Sequence, residues 1–175
     1  MGSSKIFEIV STYLQVYANT PYTEPSSEIV EFLRKDPDES FNVIAENLYQ
    51  KPDNLDFRDL DDPICRLLIK FADLVPDLLI QKMTAGFWAS RILYISSAAA
   101  SKSPIFIPTI INLLTDRSIH IKTLVLNLII NFSHLQVPEA LPKFEKLNKM
   151  KSFQNSEIDR KLLEQAKQCV FSNQY

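Results

Sequence analysis

The chain has 175 residues, is 46% hydrophobic and carries 19 basic against 21 acidic residues. That is enough for one domain with a sizeable core, and the balance excludes a global pull towards nucleic acid or an anionic membrane. Glycine occurs twice, at Gly2 and Gly86, where average usage gives roughly twelve, so glycine-cradled phosphate loops and tight two-residue hairpins are excluded, and with them most nucleotide enzymes.

Ten prolines punctuate the chain instead. Ile6, Ile9, Val10, Tyr13, Leu14 and Tyr17 recur at helical spacing and predict a first helix over about 4–18. With Lys5 and Glu8 inside it, this segment reads as an amphipathic helix and not as a signal-peptide core, so a cytoplasmic location is expected. Ser26 or Ser27 caps a short second helix carrying Ile29, Val30, Phe32 and Leu33. Pro37 opens a third, with Phe41, Ile44, Ala45 and Leu48 on one face. Residues 51–62 lack periodicity and read as an acidic loop. Asp62 followed by Pro63 then signals a helix reaching about Leu74.

Beyond that point the pattern becomes regular. Val75-Pro76, Ile107-Pro108 and Leu141-Pro142 each open a short helix, at spacings of 32 and 34 residues. Leu78, Ile110 and Phe144 follow each proline by two residues. Longer helices are expected over about 86–99, 118–133 and 156–171. The helix from Ser118 to Ser133 is apolar on nearly all sides, with Asn127 and Asn131 on a narrow polar strip, and is expected at the centre of the core. Ile121, Leu124, Leu128 and Phe132 should be fully buried. No segment alternates with period two long enough to make a strand.

The second of these units, Ile107, Pro108, Ile110, Leu113, Leu114 and Asp116, followed by Ile121 and Lys122, resembles the HEAT-type helical repeats. The resemblance covers about residues 70–172 and implies that the acid and the base, here Asp116 and Lys122, tie successive units together. The third unit has lysines where the acid would stand, and the first departs further. The expected fold is therefore all-α: eight or nine helices in antiparallel pairs, stacked as a short HEAT-like superhelix. A single domain over 1–175 is expected, with N-terminal helices over 1–60 and repeats over 63–175.

Catalytic and cofactor signatures are missing from the sequence. His120 and His134 stand fourteen residues apart on one helix, about 20 Å, too far for a shared metal or relay. Cys65 and Cys169 lack C-x-x-C spacing and read as buried reduced thiols. The aspartates of 53–62 lack the glycine and distal glutamate of a calcium loop. No catalytic residue, metal, cofactor or small-molecule substrate is expected, and neither a membrane nor nucleic acid is the expected partner.

The strongest local signal is charge. Residues 24–62 hold twelve acids and four bases, a net of −8, whereas 63–175 hold fourteen bases and eight acids, a net of +6. Glu39, Asp53, Asp56, Asp59, Asp61 and Asp62, with Tyr49 and Phe57 as aromatic anchors, read either as a solvated connection or as a surface that receives a basic protein partner. In size, architecture and charge the chain is similar to cytoplasmic immunity proteins of bacterial contact-delivered toxin systems. That resemblance implies a non-enzymatic inhibitor of a cationic, nuclease-type toxin. The alternatives are a helical-repeat adaptor that docks a peptide or helix in its groove, or a nucleic-acid-binding helical-repeat protein.

Overall fold

The computed structural model describes residues 3–21, 23–48 and 62–173. Among them are eleven α-helices, with short 3-10 turns and no strand. They fall into two compact units, Met1–Ser101 and Lys102–Tyr175.

The first unit holds α1 (Ser3–Asn19), α2 (Ser27–Leu33), α3 (Pro37–Leu48), α4 (Pro63–Ile69), α5 (Pro76–Thr84) and α6 (Trp88–Ala100). The periodic apolar face of α1 buries Ile6, Val10 and Tyr13, and the helix packs on α3. Ser26 caps α2 by accepting the Ile29 amide. Buried Ser40 donates its hydroxyl to the Leu33 carbonyl at 2.9 Å, satisfying an end of α2 from within α3. Asp62 caps α4 by accepting the Ile64 amide at 2.8 Å, and Pro63 occupies the first turn, where no amide is needed.

The centre of this unit is α6, in which Arg91 through Ala99 are all buried. It packs against α4 and α5. The Tyr94 ring meets Phe41 with centroids 5.9 Å apart, and the Ser97 hydroxyl donates to the Cys65 Sγ at 3.1 Å. Between α5 and α6, Gly86 takes a φ of +94°, a conformation that a side chain with a Cβ resists.

The second unit holds α7 (Ile107–Asn112), α8 (Ile119–Asn131), α9 (Leu141–Asn148), α10 (Lys151–Asn155) and α11 (Glu157–Ser172). Helix α8 packs against α11 and against the 3-10 turn that continues α7. Ile121, Leu124, Val125, Leu126, Leu128 and Ile129 are buried, whereas Asn127 and Asn131 are exposed, as the pattern of that helix requires. Each asparagine donates to the carbonyl four residues back, at 3.0 and 2.7 Å.

Several expectations are corrected. The described residues hold eleven helices, more than the eight or nine expected; one of them, α10, is a short helix set off by extended backbone at Met150 and at Ser156, and it buries Phe153. The helix opened by Pro63 stops at Ile69, and Ala72–Leu74 forms a separate 3-10 turn. Phe132 is half-buried: it is the C-cap of α8 with extended backbone, and its ring lies edge-on to His134. In α5 the buried residues are Leu79 and Met83, with Leu78 half-buried. Cys169 is half-buried, although Cys65 is buried as expected; both are thiols.

Candidate functional site

Of the residues expected to receive a partner, Glu39 and Asp62 lie among those described. Tyr49, Asp53, Asp56, Phe57, Asp59 and Asp61 lie outside the described residues. The Asp62 carboxylate serves the start of α4. Glu39 accepts the Ser3 hydroxyl and lines a polar cleft of about 340 Å³ with Asn42, Glu46 and Lys82. Glu39 and Glu46, two helical turns apart, share one side of α3.

The other acids divide into two kinds. Glu24 is paired internally: it accepts from Arg66 and lies 2.9 Å from the Lys70 ammonium. The Lys70 hydrogen bond, helped by Arg66, holds the Glu24 carboxyl below the usual carboxylate range and outweighs the opposing effect of burial. The same negative charge, secondary to burial itself, pushes the nearby Tyr13 hydroxyl up to about 12. In contrast, Glu28, Glu31, Asp38 and Glu46 are exposed. These carboxylates remain open to solvent and to an approaching cation.

The division of charge follows the division of the fold. The first unit contains fifteen acids and nine bases, a net of −6. The second contains six acids and ten bases, a net of +4.

In the second unit, the residues singled out by the repeat resemblance are ordered around the start of α8. One Asp116 carboxylate oxygen accepts the Ser118 amide at 2.8 Å. Lys122 is only 4% exposed, and its ammonium donates to the Met150 Sδ, 3.6 Å away at the start of α10. Burial lowers the Lys122 pKa, with Asp116 acting in the opposite sense. Lys122 thus reaches from α8 to the start of α10.

A feature that sequence reasoning passed over is a groove of about 600 Å³ in the second unit, lined by Pro104, Ile107, Pro108, Ile111, Val137 and Pro142. Its signal was present in the prolines, which were read only as helix starts. Three prolines on one surface contribute apolar area without an amide to satisfy.

The described residues contain no group of three or more His, Cys, Asp or Glu side chains able to hold a metal ion. None of their helices is long and apolar enough to cross a membrane. No family model matches the chain, and no curated protein or solved structure shows significant similarity to it.

Proposed function

We propose that the chain is a non-enzymatic protein-binding module, a cytoplasmic immunity-type inhibitor whose acidic first unit receives a cationic, nuclease-type toxin. The observation that carries this reading is the segregation of charge by unit, −6 against +4, with Glu28, Glu31, Asp38 and Glu46 exposed on the acidic one. Opposed charge across an interface raises the association rate and fixes orientation, and an acidic surface competes for the substrate channel of a cationic nuclease. Stacking of the α7–α8 pair on the pair formed by α9 and α11, in the manner of HEAT repeats, is part of the same proposal. It is supported by the prolines in the first turns of α7 and α9 and by the reach of Lys122 to Met150.

The test is capture of the partner from the native cell, followed by binding kinetics at two salt concentrations. Replacing Asp56, Asp59 and Asp61 together by asparagine should slow association and flatten its salt dependence. An unchanged association rate would reduce these aspartates to solvated acids.

The apolar groove of the second unit favours a second reading, an adaptor that docks a peptide or helix. Under that reading, binding would be insensitive to salt and would be lost when Ile111 or Val137 is replaced by aspartate.

A further inference from the structure

The contact between Lys122 and Met150 sets a charged donor against a weak acceptor. Lys122 is almost wholly buried, and among the described residues the hydrogen-bond partner of its ammonium is the thioether sulfur at 3.6 Å. A thioether accepts hydrogen bonds poorly, so the ammonium is under-satisfied in a place where water has limited access. Asp116 supplies favourable charge to the ammonium. Met150 itself is half-buried, whereas Met83 is 0% exposed.

We propose that Met150 is a site of oxidative modification whose sulfoxide is held by the Lys122 ammonium. The oxidant is a peroxide. The sulfur lone pair attacks one peroxide oxygen, a sulfur–oxygen bond forms and the oxygen–oxygen bond breaks. The departing hydroxide takes the proton carried by the transferred oxygen and leaves as water, so sulfur is oxidised by two electrons and the peroxide is reduced by two. The new oxygen is a strong acceptor on a flexible side chain. Rotation of that side chain brings the oxygen to the ammonium, and a charge-assisted hydrogen bond replaces the weak one. Oxidation of a methionine ordinarily disrupts the packing around it. At this position it satisfies a buried cation, and the modified protein keeps its stability.

The experiment is a titration of the full chain with dilute hydrogen peroxide, with peptide mapping by mass spectrometry and thermal unfolding of the singly oxidised product. Met150 sulfoxide should accumulate at least about tenfold faster than Met83 sulfoxide, given the difference in access. The Tm of the oxidised wild type should equal or exceed that of the reduced protein. In Lys122→Leu the same oxidation should lower Tm by about 3 °C or more. Equal oxidation of the two methionines, or an equal loss of Tm in wild type and variant, would overturn the proposal. Should Lys122→Leu fail to fold, an NMR titration of the Lys122 ammonium in the wild type decides. Its pKa should rise once Met150 is oxidised, because a strong acceptor favours the charged form, and an unchanged pKa would refute the capture of the sulfoxide.

Discussion

The Arg91 Nε donates to the Met83 carbonyl at 2.6 Å, so a buried guanidinium in α6 closes the C-terminal end of α5. The last carbonyls of a helix carry partial negative charge and lack partners within it, and a cation there answers both needs. The arrangement also fixes the corner at Gly86, because the two helices are tied on either side of the turn.

Arg91→Ala should therefore destabilise the first unit by about 2–3 kcal/mol, through an unsatisfied buried carbonyl and lost packing of the side-chain stem. Arg91→Lys should recover only part of this, because an ammonium cannot reproduce the planar donor set. Urea unfolding of the two variants measures both effects. Equal stability of Arg91→Ala and wild type would show that the hydrogen bond is replaced by water.

In α8, Leu128 is 5% exposed among apolar neighbours, while the adjacent Asn127 is exposed. Leu128→Ala should cost about 2–5 kcal/mol through the cavity it leaves. Asn127→Ala should stay within about 0.5 kcal/mol, as for other exposed positions. The contrast between neighbouring residues, read from denaturant midpoints, checks the orientation of the helix.

That helix was legible because its Leu, Ile and Val residues repeat with helical period around two asparagines. Helix α6 was expected over about 86–99, but its equally central place was not legible. Its buried run ends in Ser96, Ser97, Ala98 and Ala99, small residues that pack closely but carry little hydrophobic signal. The proline-opened starts of α5, α7 and α9 were legible because proline has a physical reason to sit in a first turn. Helix α10 was missed because its five residues bury a single apolar side chain, Phe153, too little to show a helical period. At the candidate site, the charge asymmetry was visible in composition alone. The internal pairing of Glu24 was not, since Arg66 and Lys70 lie more than forty residues away in sequence.

Tyr13 gives a pH prediction. Its hydroxyl donates to the Thr23 carbonyl at 3.0 Å, and its pKa is pushed from 10.0 to about 12, chiefly by burial. The folded state holds this proton more tightly than the unfolded chain does. The stability it contributes is thus complete below pH 10 and is lost progressively as pH rises from 10 towards 12. Tyr13→Phe should cost about 1 kcal/mol at pH 7 through the lost hydrogen bond. Its stability should then fall less steeply than that of wild type above pH 10. Parallel alkaline profiles for the two proteins would show that Tyr13 ionises as freely when folded as when unfolded.

The final prediction separates the two binding readings by kinetics. If the acidic unit receives the partner, charge governs encounter while aromatic contacts govern residence. Tyr49→Ala and Phe57→Ala should then speed dissociation by at least about tenfold, the effect of losing a 1.4 kcal/mol contact, and leave association and its salt dependence intact. Val137→Asp, placed in the groove of the second unit, should change neither rate. The reverse pattern, with Val137→Asp abolishing binding and both aromatic truncations silent, would move the interface to the groove. The three variants share one assay, and thermal unfolding of each excludes loss of fold as the cause: a variant that binds weakly with an unchanged Tm has lost a contact and not a structure.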